Sequence, residues 1–391
     1  MRKFRIAFAG LYQDDNLGDP VIARCTESMF TSTLPSDNIE IRHVSLNHYM
    51  KNQLSSRMLW WIRISNLLRI KSQKMTDWIF STDYIRFMDE QLKDVDLVVI
   101  VGGGLIEFTG NRFTDGMYAI TVAGNKYGFP VIINSVGVEG YDDNHKGCMK
   151  LKRMLHQPSV KYVSTRDDYN TLFYKYFNSK PTIICEKVAD PAVWAAEIFG
   201  VSKCTDSKVV GIGIVRKDIF ENYGLKFSSC QLKQLYVNIV MQLLSKGQEV
   251  HIFSNGTKAD NEFAHEIQEE LNKIHQIKVQ LDIPLTAAEL IETIAQFKGV
   301  IAGRLHSCII SYSLNIPAIG LVWNEKLSLF GKNINESGNF ISPKDFDPNL
   351  VVERLNESIS RGYDQKQREE FRATVRNSIN SNIQKYILPN L

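Results

Sequence analysis

The chain has 391 residues, of which 44% are hydrophobic, and this length predicts two folded domains with separate cores. Lysine and arginine exceed aspartate and glutamate by only three charges, which argues against a dedicated nucleic-acid-binding protein and makes any anion site local. The six cysteines stand singly, which argues against a disulfide framework and a structural zinc site. With no span of roughly twenty apolar residues and no leader pattern before the first strand, the sequence predicts a cytoplasmic protein.

Short apolar runs alternate with helical patterns along the chain, which is typical of βαβ units and parallel sheets. The candidate strands fall into two sets, at residues 4–9, 97–101, 131–135, 162–164 and 182–185, and at residues 209–214, 250–254, 300–302 and 318–321. A polar stretch at 197–208 separates the sets. We therefore predict an α/β fold with two Rossmann-like domains, 1–196 and 208–391, facing each other across a cleft. A final helix at about 365–387 is expected to pack across their junction.

The loop after the first strand contains Asn16, Gly18 and Asp19 and leads into a helix near Pro20. Aspartate suits the N-cap and proline the first helical position, so the loop presents backbone N–H groups at a helix N-terminus. An anion or a sugar hydroxyl can dock at such a place. The alternative is an ordinary turn with a capping aspartate.

Three consecutive glycines, Gly102, Gly103 and Gly104, follow the second predicted strand and precede Glu107. Glycines allow close approach of a ligand to the backbone. The run matches neither the dinucleotide fingerprint nor the P-loop, which argues against nucleotide binding by either device.

Two further strands end at arginines. Arg166 follows one strand just before a helix, where its fixed charge can bind phosphate or carboxylate or simply pair with Asp167 or Asp168. Arg304 and His306 follow another strand at the start of a helix. A guanidinium and an imidazole near a helix N-terminus suit a dianion, and histidine can also move a proton at neutral pH. His306 is therefore the best candidate for catalysis among the eight histidines.

These stretches together resemble the polysaccharide pyruvyl transferase family, which is similar in architecture to the GT-B glycosyltransferases. The resemblance spans about residues 4–335 and rests on five motifs in order: Asn16-Leu17-Gly18-Asp19, Gly102-Gly103-Gly104, Ser164-Thr165-Arg166-Asp167, Asp190-Pro191 and Gly303-Arg304-Leu305-His306. The first loop is lengthened by Gln13-Asp14-Asp15, which would alter acceptor contacts rather than donor chemistry, and residues 47–94 form a distinctive insertion.

The resemblance implies transfer of the enolpyruvyl group of phosphoenolpyruvate (PEP) to a sugar diol in the biosynthesis of a capsule or exopolysaccharide. It implies that PEP is bound by Arg166, Arg304, Leu305, His306 and Lys326. Arg166, Arg304 and His306 would be catalytic, with His306 acting as general acid or assisting phosphate departure. It also implies acceptor contacts at Asn16, Asp19, Gly103, Gly104 and Glu107, with Asp19 or Glu107 as base. No metal or cofactor is expected.

Two other functions stay open at this point. A GT-B glycosyltransferase that uses a nucleotide sugar would share the fold, and fold alone does not decide between them. A sugar-binding or assembly protein without catalysis is disfavoured by the presence of both arginines and His306.

A segment at residues 57–71 has no acidic residue. At helical spacing its apolar residues share one face, which Arg63 and Arg69 flank: Trp60, Trp61, Ile64, Leu67 and Leu68. This pattern is typical of a helix that lies in a membrane interface, although an amphipathic helix packed on its own domain would read the same way. The membrane alternative predicts peripheral attachment to the inner face of the plasma membrane and an acceptor sugar on a polyprenyl-phosphate carrier.

Overall fold

The computed structural model describes residues 2–12, 15–47, 55–68, 73–109 and 113–391, except the side chains of residues 73, 74, 76, 77 and 80. The described residues form two six-stranded sheets, and every paired strand in both is parallel. The predicted α/β class is confirmed. Residues 13 and 14 of the lengthened first loop, and residues 69–71 of the predicted interfacial segment, lie outside the described residues.

The first sheet has the strand order β2-β1-β3-β4-β5-β6. Its strands are β1 (Phe4–Gly10), β2 (Ile39–Ser45), β3 (Leu97–Glu107), β4 (Val131–Glu139), β5 (Val160–Thr165) and β6 (Ile184–Lys187). Five of the six coincide with predicted strands. Sequence reasoning missed β2, an edge strand in which only Ile39 and Val44 are buried.

The predicted strand at 97–101 is too short, because β3 continues through the three glycines to Glu107. The pairing of β3 with β4 shifts register between Gly103 and Ile106, and Gly103 has a positive φ of 95°. Glycine adopts this conformation without steric cost. The glycines therefore form an irregular part of the strand rather than the loop that follows it.

Among the described residues, five α-helices precede β6: α1 (Gly18–Thr31), α2 (Ser56–Leu67), α3 (Gln73–Leu92), α4 (Thr114–Tyr127) and α5 (Lys146–Leu155). Apolar side chains of α3, α4 and α5 pack with one face of the first sheet into a continuous core. This burial is the main stabilising contribution to the layer.

The second sheet has the strand order β12-β11-β10-β7-β8-β9. Its strands are β7 (Val209–Gly213), β8 (Glu249–Phe253), β9 (Gln280–Asp282), β10 (Gly299–Ala302), β11 (Ala318–Leu321) and β12 (Phe340–Ile341). The four strands predicted here are confirmed, whereas the short edge strands β9 and β12 were missed.

In the described part of the chain, nine α-helices follow β6. They are α6 (Ala195–Phe199), α7 (Ile219–Asn222), α8 (Ser229–Ser245), α9 (Lys258–Lys273), α10 (Ala287–Ala295), α11 (Leu305–Ser313), α12 (Glu325–Asn333), α13 (Pro348–Arg361) and α14 (Gln365–Tyr386). Serine at the N-cap of α8 forms a complete capping box with Gln231, which satisfies two backbone donors at that helix start.

The chain divides into two compact units. The first contains residues 1–12, 26–188 and 375–391, and the second contains residues 13–25 and 189–374. The loop that leads into α1 thus belongs to the unit of the second sheet, and α14 supplies residues to both units. The boundaries 1–196 and 208–391 stay a prediction about independently folding domains.

None of the described helices is both long and apolar enough to cross a bilayer.

Candidate active site

Two neighbouring strands of the second sheet bring charged side chains to one edge. β10 and β11 pair in parallel, with Ala302 opposite Gly320, so their carboxyl ends lie side by side. Arg304 follows β10, and Lys326 follows β11 in the first turn of α12. The indole Nε1 of Trp323 donates to the carbonyl oxygen of Gly303 at 2.5 Å, which ties the two loops together. Open parallel sheets bind ligands at this kind of edge.

Arg304 is held by a buried carboxylate. Its Nε and Nη2 donate to the two oxygens of Asp260 at 2.7 and 2.6 Å, and Nη2 also lies 3.4 Å from Thr257 Oγ1. Asp260 is 0% exposed, so the guanidinium is its compensating charge. The Nη1 group of Arg304 has no hydrogen-bond partner among the described residues. Arg304 therefore keeps one donor group for a ligand while its orientation is fixed.

His306 is 6% exposed and lies in the first turn of α11. Its Nε2 is 3.9 Å from Oδ2 of Asp190, which is itself 3% exposed. The other oxygen of Asp190 accepts from the backbone N–H of Ala192 at 2.8 Å. The two groups form an ion pair when the imidazole is protonated, and the backbone bond fixes the carboxylate that faces the ring.

The Gly18 loop packs against the other side of the same imidazole. A Cβ placed on Gly18 would lie 2.0 Å from His306 Nδ1, so only glycine fits. Asn16 Nδ2 donates to Asp19 Oδ2 at 2.9 Å, and Asp19 N donates to the carbonyl of Asn16 at 3.0 Å. Helix α1 begins at Gly18, so the predicted N-cap role of Asp19 is wrong and Asp19 lies in the first turn.

A second contact joins this loop to the second sheet. The backbone N–H of Leu17 donates to the carbonyl of Asn255, just beyond β8, at 3.0 Å. Gly256, at φ 93°, lies so close to Leu17 that an added Cβ would be 2.7 Å from its Cγ. The motif near the chain start and the motif around His306 therefore form one cluster within the second unit.

The predicted residues of the first sheet lie in the first unit. Arg166 is buried directly after β5, and its backbone N–H donates to the carbonyl of Val136 at 3.2 Å. Asp167 Oδ1 accepts three hydrogen bonds, from the Val138 N–H, the Thr165 hydroxyl and the Asp168 N–H. Asp167 thus stabilises the loop that carries Arg166.

Gly103, Gly104 and Glu107 line the end of β3 in the same unit. Glu107 is buried, accepts from the Thr109 hydroxyl and stands opposite Glu139 of β4 in the strand pairing. Two carboxyl groups therefore lie side by side where β3 and β4 end.

The structure brings six of the ten predicted site residues into the second unit and four into the first. Those of the second unit are Asn16, Asp19, Arg304, Leu305, His306 and Lys326, and those of the first are Gly103, Gly104, Glu107 and Arg166. Leu305 is the first residue of α11 and is half-buried. Their roles in binding stay predictions.

Three residues of this cluster were missed by sequence reasoning. Asp190 was considered only as part of the Asp190-Pro191 motif, although an acid directly before a proline-initiated turn is a sequence pattern that could have identified it. Asp260 and Asn255 lie in a helix start and a loop with no motif of their own. Only the fold shows their contacts with Arg304 and Leu17.

Burial keeps the thiol near this cluster neutral. Cys25 is buried in the second unit, and desolvation, together with the charges of Asp190 and Glu197, raises its pKa well above the ordinary value. A neutral thiol is a poor nucleophile and a poor metal ligand. Within the ranges described here, no three His, Cys, Asp or Glu side chains are grouped so as to hold a metal ion.

Comparison with solved structures supports the fold assignment. The chain superposes with a TM-score of 0.57 on UDP-GlcNAc 2-epimerase from Neisseria meningitidis bound to UDP-GlcNAc, at 13% identity over 99% of this chain and 100% of the other. A putative UDP-N-acetylglucosamine 2-epimerase from Listeria monocytogenes gives 0.58 at 10% identity, over 100% and 98%. Trehalose-6-phosphate synthase gives 0.56 at 8% identity, over 99% of both chains. The α/β fold is thus GT-B-like, as predicted.

No curated protein gave a significant sequence match. A family model for polysaccharide pyruvyl transferases matches residues 16–325, which begin at Asn16 and extend past Arg304 and His306. Since this match covers well over half of the sequence, the chain belongs to the polysaccharide pyruvyl transferase family.

Proposed function

We propose that the chain uses PEP as pyruvyl donor and forms a pyruvate ketal on a diol of a sugar, with release of phosphate. The observation that carries this proposal is the buried imidazole of His306, which lies between Gly18 and the carboxylate of Asp190 beside the loop of Arg304. A buried ring with an acid facing one nitrogen is suited to hold a proton and deliver it to a substrate. PEP is here a substrate, and the proposed reaction needs no cofactor.

The first step joins the acceptor to the donor carbon. His306 protonates the vinyl carbon of PEP, and a sugar hydroxyl attacks the adjacent carbon while losing its proton to a carboxylate. Asp19 is our choice for that base over Glu107, because Asp19 follows Gly18, whose backbone contacts His306. The acid protonates one carbon of PEP, and the base takes the proton of the hydroxyl that attacks the neighbouring carbon, so the two groups must lie close together.

The second step closes the ketal. The bond between the donor carbon and the phosphate oxygen breaks, phosphate leaves with its bridging oxygen, and the second hydroxyl attacks the same carbon. The proton of this hydroxyl goes to the departing phosphate. Asp19 then passes its proton back to His306, which restores both groups. In the net reaction, one hydroxyl proton replaces the proton that His306 gave to the new methyl group, and the other ends on phosphate.

Binding of the two anionic groups of PEP is assigned to Arg166, Arg304, Leu305, His306 and Lys326. Because Asp260 neutralises most of the charge of Arg304, this arginine contributes an oriented donor rather than a free cation. Contacts to the acceptor are assigned to Asn16, Asp19, Gly103, Gly104 and Glu107.

A label test separates this chemistry from alternatives. PEP with heavy oxygen (¹⁸O) at the bridging position is incubated with the protein and a panel of lipid-linked and nucleotide-linked sugars. Mass spectrometry should find the label in phosphate and, in heavy water, one deuterium in the product methyl group. His306→Gln should abolish product, whereas His265→Gln, at an exposed histidine of α9, should not. Turnover of a nucleotide sugar without PEP would instead favour a glycosyltransferase.

We also propose that the acceptor is linked to a polyprenyl-phosphate carrier and that the chain works at the inner face of the plasma membrane. Trp60 is 64% exposed and Leu67 is 81% exposed on α2, with Leu59 and Leu68 also exposed. Arg63 is exposed on the same helix, and no acidic residue occurs between Ser56 and Leu67. The exposed face differs from the predicted one, since Trp61 and Ile64 are half-buried.

Liposome flotation tests this surface. Trp60→Glu combined with Leu67→Glu should abolish flotation with vesicles containing anionic phosphatidylglycerol, because tryptophan and leucine supply the interfacial burial. Ile274→Glu, at an exposed apolar residue that follows α9, is the matched control and should float like the wild type. Flotation of the double variant at the wild-type level would remove the membrane proposal.

A further inference from the structure

Asn255 occupies a central place in the cluster around His306. It follows β8 and is 1% exposed. Its Oδ1 accepts from the Ser307 hydroxyl at 2.5 Å, and its backbone carbonyl accepts from the Leu17 N–H. Ser307 adjoins His306 and Leu17 adjoins Gly18, so Asn255 is bonded to the immediate neighbours of both residues in the Gly18–His306 contact.

The other end of the same side chain is a donor without a protein partner. Asn255 Nδ2 is buried and has no hydrogen-bond partner among the described residues. A buried amide donor left unsatisfied is destabilising, because it has lost its hydrogen bond to water and gained none in the protein. Folded proteins keep few such groups, and a functional role is one of the recognised reasons.

The loop around Asn255 is fixed by its own bonds. Gly256 N donates to Ser254 Oγ at 3.2 Å, and Ser254 Oγ donates to Asn261 Oδ1 at 2.5 Å. Asn261 Nδ2 closes the loop on the carbonyl of Gly256 at 3.3 Å. The amide of Asn255 is thus oriented before any ligand binds, which lowers the entropy cost of binding.

The donors available in this cluster select for an anionic ligand. Arg304 Nη1, in the loop that carries His306, also has no hydrogen-bond partner within the described ranges. An amide donor and a guanidinium donor together suit carboxylate or phosphate oxygens. We infer that Asn255 is a donor-substrate-binding residue, whose Nδ2 donates to an anionic oxygen of PEP. This inference rests on the proposed function.

Asn255→Asp tests the inference with little change of shape. The aspartate keeps Oδ1 as acceptor for Ser307 and replaces the unpartnered donor with a carboxylate oxygen that repels PEP. We expect the Kd for PEP, measured by calorimetry, to rise about 10- to 100-fold. Asn238→Asp is the matched control, because it adds the same charge on α8 and keeps the acceptor used by Gln234. This control should bind PEP like the wild type.

The outcomes separate the inference from the proposed function. Wild-type protein that fails to bind PEP would overturn the proposed function and the ligand named here. If the wild type binds PEP and Asn255→Asp binds it with equal affinity, the inference about Asn255 is overturned and the proposed function is not. If Asn255→Asp does not fold, Asn255→Ala removes the donor without adding charge. A tenfold loss of affinity in that variant supports the inference, and unchanged affinity contradicts it.

Discussion

Gly18→Ala should damage catalysis and leave the protein folded. The added Cβ would lie 2.0 Å from Nδ1, 2.2 Å from Cγ and 2.6 Å from Cβ of His306, and ordinary contact begins at 3.4 Å. The imidazole must therefore move by about 1.4 Å, or the Gly18 loop must move by the same amount. Such a displacement of a catalytic group costs about 100-fold in rate. The expected loss of stability is about 1–3 kcal/mol, as for other overpacked sites.

The assay for this prediction is the rate of phosphate release from PEP at a saturating concentration of an acceptor found in the sugar panel. Urea unfolding measures stability in parallel. Gly338→Ala is the matched control, because nothing lies within 4 Å of a Cβ added there, and it should keep the wild-type rate. A wild-type rate in Gly18→Ala would refute the placement of His306 at the reacting atoms.

Three further predictions concern stability and reactivity. Asp260→Asn should lower the free energy of unfolding by about 3–5 kcal/mol, because it leaves Arg304 without its buried counter-charge. A loss below about 1 kcal/mol would contradict a stabilising role of this ion pair. Burial raises the pKa of the Cys308 thiol to about 12. Alkylation at pH 9, mapped by mass spectrometry, should therefore modify the exposed Cys204 and spare Cys308. Equal labelling of the two cysteines would contradict this prediction. Arg372→Leu should lower the free energy of unfolding by about 3 kcal/mol, because the guanidinium is buried, paired with Glu369 and stacked on the indole of Trp194. An unchanged midpoint of urea unfolding would contradict a stabilising role of Arg372.

The sequence was sufficient for the central strands and insufficient for the sheet edges. Nine strands were predicted because each contains a short apolar run. Most of these strands are buried, whereas the edge strand β6 has no buried residue. The edge strands β2, β9 and β12 were missed because two are very short and the third buries only two of its seven residues. Local pattern carries little signal in such strands.

The site shows the same division between local and long-range information. His306 and Arg304 were found because each stands at the start of a helix that follows a buried strand. The partners of these residues were not found, since Asp260 precedes Arg304 by 44 residues and Asp190 lies far from His306 in sequence. No periodicity or spacing predicted that residues 13–25 belong to the second unit, because hydrogen bonds such as Leu17 to Asn255 join distant parts of the chain.

The most direct test of the account is the fate of the bridging oxygen of PEP. With ¹⁸O at that position and a competent acceptor, the wild-type chain should release one labelled phosphate for each sugar that gains pyruvate less one water. His306→Gln should do neither. Label retained in pyruvate, or a sugar product formed without consumption of PEP, would contradict ketal formation through His306.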